Sequence, residues 1–83
     1  MASKVFYKAS VEKDLKKIDK SWARKLLSQI EEKLGPHPNL GEPLSGEFHG
    51  LFKFRVNDYR IIYSKIAEGV LIIRIAHRKE VYR

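Results

Sequence analysis

The chain has no cysteine among its 83 residues. No disulfide and no thiolate metal site can therefore hold it together, which suits a reducing compartment. No apolar run approaches the roughly 20 residues that span a bilayer, and Met1 to Lys8 mix polar and apolar types without a signal-peptide block. A soluble, cytoplasmic protein with no membrane contact is expected. Glycine and proline are few, five and three, and all but Gly69 fall within residues 35–50, with Gly41, Pro43, Gly46 and Gly50 giving it loop character. Acidic residues are also scarce, at 10 against 17 lysines and arginines, a net charge of +7. Residues 1–47 carry nine basic and seven acidic groups; residues 48–83 carry eight and three. The excess in the second half points to a polyanionic partner: RNA, DNA or an acidic protein.

A chain of this length forms one domain, residues 1–83, with one modest core that buries about 60–65% of its unfolded surface. Lys4–Lys8 reads as a short strand. Ser10 is placed to cap a helix, with Glu12 and Asp14 in its first turn. Val11, Leu15, Ile18, Trp22, Leu26, Ile30 and Leu34 then recur every three or four residues, one helical stripe that Leu27 widens. A single helix over that stretch would be about 36 Å long, against about 23 Å for a seven-residue strand. A break near Asp19–Lys20–Ser21 is therefore expected, giving two packed helices, with Ser21 a further cap. Gly35, Pro36 and Pro38 end the second helix, and residues 35–50 read as a loop with few internal contacts. Leu51–Val56, Tyr59–Ile66 and Val70–Arg78 read as three strands joined by an Asn57–Asp58 turn and an Ala67–Glu68–Gly69 loop. The expected fold is α+β, order β-α-α-β-β-β, with two N-terminal helices packed on one face of an antiparallel sheet.

Strand parity assigns faces. Phe52, Phe54 and Val56 share one face of the first meander strand, and Lys53 and Arg55 the other. With Tyr59, Ile61 and Tyr63 inward, Arg60 turns outward. With Leu71, Ile73 and Ile75 inward, Arg74 and Arg78 turn outward. Five cations thus lie on the face away from the helices, with no carboxylate at its interior positions. Solvated faces usually mix signs, because like charges repel; this one reads as a phosphate-binding face. The acidic residues lie mostly on the helices, and His37, His49 and His77 show no ligand spacing, so neither a metal nor another cofactor is expected.

The stretches Leu44-Ser-Gly, Gly50-Leu-Phe-Lys-Phe-Arg-Val-Asn-Asp-Tyr-Arg-Ile-Ile-Tyr63 and Val70-Leu-Ile-Ile-Arg-Ile-Ala-His-Arg-Lys-Glu-Val-Tyr82 resemble the central block and tail of RelE-like toxins of the RelE/ParE superfamily. The resemblance covers nearly the whole chain. It implies a ribosome-dependent, metal-independent endoribonuclease that cuts mRNA in the A site by 2′-hydroxyl attack and is restrained by a cognate acidic, RelB-like antitoxin. Carried over by motif, Lys53 and Arg55 are the basic pair, Arg60 and Arg78 stabilise the phosphate, and Tyr82 stacks on a base or moves the 2′ proton. Arg74 and Lys79 join Lys53 and Arg55 in holding RNA. Arg55 stands where RelE itself has lysine, and arginine does not readily release a proton. The related YoeB branch uses a carboxylate–histidine pair; Glu42 resembles its carboxylate, and His77 would stand for its histidine. ParE toxins share the fold and poison DNA gyrase without cutting RNA, and a toxin-like domain that has lost activity is a third reading.

Overall fold

The computed structural model describes residues 4–77 and residue 79. Strand β1 (Lys4–Tyr7) is followed by helices α1 (Ala9–Lys16) and α2 (Lys20–Gln29). α2 runs on through a π-type turn, Ile30–Leu34. Then come β2 (Glu42–Pro43), a 3-10 turn (Gly46–Phe48), β3 (Leu51–Val56), β4 (Tyr59–Ile66) and β5 (Gly69–His77). The sheet order is β1-β5-β4-β3-β2. The expected α+β architecture is present, with two differences. β2 is a fifth strand, set within residues 35–50, which were expected to be loop. The sheet is mixed, because β1 joins it parallel to β5 while the remaining pairs are antiparallel. Gly69 permits that pairing: it sits at φ 154°, and a Cβ there would collide with the Lys4 carbonyl. No helix among the described residues is long and apolar enough to cross a membrane.

The helix break falls where expected, but with other caps. α1 closes with Lys17 and Ile18 N–H donating to Asp14 and Leu15 carbonyls three residues back. Asp19, rather than Ser21, caps α2: its Oδ2 accepts from Ser21 N–H at 3.1 Å and also from the Ser21 hydroxyl. The Ser21 hydroxyl and then its amide hold the Asp19 carboxyl below the usual carboxylate range. From Lys20 to Leu34 the second helix spans about 22 Å, a length the sheet can cover. It ends at Gly35, whose N–H reaches Ile30 O at 3.1 Å.

The cap of α1 is likewise not Ser10. Lys8 occupies that position, without a side-chain bond. Ser10 instead serves the sheet. β1 covers β5 only from Gly69 to Ile72, which leaves the rest of that strand's edge with unpaired polar groups. α1 supplies the partners. Ser10 Oγ donates to Ile73 O at 2.6 Å, and Asp14 Oδ2 accepts from Ile75 N–H at 2.9 Å. Asp14 is consequently buried although charged.

Val11, Leu26, Ile30 and Leu34 from the helical stripe meet Ile61, Tyr63, Val70, Ile72 and Ile75 in the core, with Leu15, Ile18, Phe52 and Phe54 packed around them. Leu71 and Ile73 were expected inward and are not. A register irregularity opposite Ile62/Tyr63 pairs Tyr63 with Ile72 but Ile62 with Arg74, so Ile73 is an extra residue. Such a bulge reverses the parity of a strand: Val70 and Ile72 are buried before it and Ile75 after it.

Candidate functional site

The face of the sheet away from the helices carries the candidate chemistry, because strand parity sends the cations there. On β3, Lys53 and Arg55 point away from core-facing Phe52 and Phe54; on β4, Arg60 points away from Ile61. The β3–β4 register sets Arg55 directly opposite Arg60, a like-charge pair that by itself destabilises a ladder. Arg55 Nε donates to Asn57 O at 3.0 Å, which ties its guanidinium to the β3–β4 turn. Arg60 Nε is shut off from solvent. β2 brings Glu42 opposite Lys53. Glu42, Lys53, Arg55 and Arg60 together line a hollow of about 110 Å³, several times the roughly 30 Å³ that one water occupies in the liquid. Three donors that cannot accept a proton therefore converge with one carboxylate that can.

The loop expected to make few contacts is what positions Glu42. Tyr63 is fully buried, and its hydroxyl reaches through the sheet edge to residues 38–41. It donates to Pro38 O at 2.7 Å and accepts from Gly41 N–H at 2.9 Å. Burial pushes the Tyr63 phenol up from its ordinary value, with the Gly41 amide pulling the other way. Gly41 leaves room for this contact: a Cβ there would lie 2.5 Å from Tyr63 Oη and 2.7 Å from Lys53 O. Leu44 N–H then donates to Leu51 O at 2.9 Å, and the 3-10 turn folds Phe48 back over the sheet.

Beside the ionic hollow lies an apolar one of about 400 Å³, formed by Leu44, Phe48, Leu51, Ile62 and Ile73 with Lys53, Arg60 and Arg74 at its border. The outer face thus carries an apolar hollow beside its cations. The bulge on β5 adds Ile73 to it. Phe48 is 53% exposed; Leu44 and Phe48 in the loop, with Leu51 and Ile62 at the same strand parity as Lys53 and Arg60, were the sequence signals that could have announced this hollow. Lys53 and Arg60 line both hollows.

Two further residues, Arg74 and His77, are placed differently from the simple expectation. Arg74 does reach the outer rim, but its Nε pairs with Asp14 Oδ2 at 3.0 Å, so it is not an uncompensated cation. His77 is no partner for Glu42. It lies on the helix face, edge-on to Tyr59 at 5.3 Å between ring centroids, and Tyr59 in turn packs on Trp22. β5 and β2 are three strand spacings apart, about 14 Å, so the carboxylate–histidine pair does not form. Lys79 is exposed, its N–H donating to His77 Nδ1 at 3.3 Å. Arg78 and Tyr82 lie outside the described residues. Among the described residues no three His, Asp or Glu side chains cluster as metal ligands.

A family model described as the ParE toxin of type II toxin-antitoxin systems, parDE, matches residues 5–82. No curated protein sequence matches significantly. Among solved structures, a chain of the RelBE2 toxin-antitoxin complex from Mycobacterium tuberculosis is similar over 94% of this chain and 93% of that one, at 27% identity and a TM-score of 0.87. A chain of the RelB-RelE antitoxin-toxin complex from Methanococcus jannaschii matches over 93% and 94%, at 19% identity and a TM-score of 0.68. One from the E. coli DinJ-YafQ toxin-antitoxin complex matches over 100% of both chains, at 18% identity and a TM-score of 0.65. The last two bear on the fold alone.

Proposed function

Because the chain belongs to the ParE toxin family of type II toxin-antitoxin systems, within the RelE/ParE superfamily, we propose that this toxin cuts messenger RNA in the ribosomal A site. The observation that carries the reading is the ionic hollow, where Arg55 and Arg60 oppose each other beside Lys53 and Glu42. Repulsion between the two guanidinium groups is relieved when an anion sits between them, and a phosphodiester supplies that anion.

The chemistry follows from the donor set. Glu42 takes the proton of the RNA 2′-hydroxyl. The 2′-oxygen bonds to the adjacent phosphorus, and the bond from phosphorus to the 5′-oxygen breaks. Lys53 gives that leaving oxygen a proton. Arg55 and Arg60 hold the non-bridging oxygens as charge accumulates on them, which is where fixed cations lower a barrier most. The products are a 2′,3′-cyclic phosphate and a 5′-hydroxyl. No metal or other cofactor takes part. Arg78 is assigned as a further phosphate ligand and Tyr82 as the base-stacking or proton-handling residue on the strength of the sequence resemblance. Arg74 and Lys79 contribute to RNA binding at the rim. The substrate places the protein in the cytoplasm.

The apolar hollow fits the antitoxin. An acidic amphipathic segment would set its apolar side chains among Leu44, Phe48, Leu51, Ile62 and Ile73 and its carboxylates on Lys53, Arg60 and Arg74. Since Lys53 and Arg60 border both hollows, such a segment blocks the phosphate site directly.

The family model's ParE description favours one second reading, inhibition of DNA gyrase without RNA cleavage. Toeprinting of a translated message with purified protein, run beside a gyrase supercoiling assay, separates the two. New stops within the A-site codon and unaffected gyrase support the nuclease; gyrase inhibition without new stops overturns it.

A further inference from the structure

A second cationic groove lies on the other side of Arg55. Lys25, Gln29 and Lys33 recur at every fourth residue of the second helix, so they share one face, and Lys25 and Lys33 stand about 12 Å apart along its axis. With Phe54, Arg55, Val56 and Asn57 they line a hollow of about 370 Å³ between this helix and the end of β3. It exists because β2 pairs with β3 only at Phe52 and Lys53, which leaves Phe54–Val56, paired with β4 on one side, with no strand on the other.

Three properties make the groove more than a solvated helix face. No carboxylate lines it. Glu31, the acid nearest in sequence to the stripe apart from Glu32, accepts from Tyr7 Oη at 3.1 Å on the β1 side. Lys25 Nζ lies over the Trp22 ring, 5.0 Å from its centroid, a cation–π contact that favours this placement of the lysine. And Arg55 lines both this groove and the hollow with Glu42, Lys53 and Arg60. The cations run without interruption from the candidate cleavage site around the open edge of β3 to the second helix.

We propose that this groove binds the stretch of the same RNA strand flanking the scissile phosphate: Lys25 and Lys33 each take a backbone phosphate, Gln29 meets a ribose hydroxyl or base edge, and Phe54 and Val56 form an apolar floor. The inference rests on the nuclease reading for the identity of its ligand. Phosphate contacts of this kind set the register of a strand without reading its sequence.

The test uses 2′-O-methyl oligouridylates, which lack the attacking hydroxyl and so bind without being cut. A trinucleotide with one phosphate in the Lys53–Arg55–Arg60 hollow is too short to run on to both Lys25 and Lys33; an oligomer of about ten nucleotides, within the span a small domain covers, reaches the groove. Binding is followed by fluorescence anisotropy across a salt series. In Lys25→Gln/Lys33→Gln the slope of log affinity against log salt for the longer oligomer falls by about 1.4, two phosphates at about 0.7 each, while trinucleotide binding is unchanged. Lys16→Gln/Lys20→Gln removes the same charge from exposed positions outside the groove and keeps the wild-type slope for the longer oligomer. An unchanged slope in the groove variant, or an equal loss in both variants or with both oligomers, overturns the groove. If the variant weakens only an acidic peptide such as polyglutamate, the groove serves a protein and the proposal also fails. A groove-dependent slope in a protein that cuts no message would leave the groove standing and sink the nuclease reading. An unchanged slope in a protein that cuts normally does the reverse.

Discussion

Replacing Asp14 by alanine should cost far more stability than its surface charge suggests. Its carboxylate is the acceptor for Ile75 N–H, 2.9 Å away on the uncovered edge of β5, and it also pairs with Arg74. Alanine leaves a buried backbone donor without a partner, a penalty of about 1–3 kcal/mol. The Arg74 side chain is 51% exposed, so its share is discounted to about 1 kcal/mol or less. The total is about 1–4 kcal/mol. For a domain of this size that lowers the melting temperature by roughly 4–32 °C, at about 4–8 °C per kcal/mol. Two further variants separate the contributions. Asp14→Asn keeps a carbonyl oxygen for Ile75 and loses only the ion pair, and Arg74→Gln loses the pair from the other side; each should cost about 1 kcal/mol or less. Thermal melts followed by circular dichroism in low-salt buffer measure all three. If Asp14→Ala melts with the wild type, or Arg74→Gln falls as far as Asp14→Ala, then α1 does not cap the β5 edge as described.

Two more outcomes follow from the loop over the sheet. Tyr63→Phe loses the bonds to Pro38 and Gly41, which should cost about 1–3 kcal/mol and slow RNA cutting as well, because Glu42 follows Gly41. Its phenol is raised by burial; stability linked to it is full below the unfolded value near 10 and is lost as pH rises further. Alkaline melts should therefore be flatter for the phenylalanine variant, and identical slopes would contradict the burial argument. Phe48→Ala should weaken antitoxin binding by about 2 kcal/mol, roughly thirtyfold in Kd, with little change in melting temperature since Phe48 is exposed. Calorimetry with the cognate antitoxin showing no change would remove the apolar hollow from that interface.

The elements were legible because their signals are local. The helical stripe from Val11 to Leu34, the Gly35–Pro36 stop and the three meander strands all fall within a residue or two of expectation. The break near Asp19 was legible from lengths alone, since a continuous helix overhangs the sheet. What stayed hidden depends on contacts distant in sequence. Ser10 looks like a cap, but its hydroxyl serves a strand 63 residues away. The bulge at Ile73 leaves no mark in the alternation of Leu71, Ile73 and Ile75, and it reverses two of those three. At the site, the cationic trio Lys53, Arg55 and Arg60 follows from parity, whereas Glu42 joins them through a two-residue strand too short to show in any pattern. His77 was misplaced for the opposite reason. The resemblance to the YoeB branch suggested it as a partner for Glu42, but its own strand carries it to the helix face beside Tyr59.

The central claim is that Arg60, with Lys53 and Arg55, stabilises an RNA phosphate while Glu42 takes the proton of the attacking 2′-hydroxyl. The most direct test is single-turnover cutting of a ribosome-bound message, with the new ends characterised. Wild-type protein should leave 2′,3′-cyclic phosphate and 5′-hydroxyl ends. Arg60→Ala should slow cutting about 10²-fold or more, on the order of 3 kcal/mol as for a lost oxyanion donor, while melting close to the wild type. A 3′-hydroxyl product, or an Arg60→Ala variant that cuts at the full rate, would contradict the account.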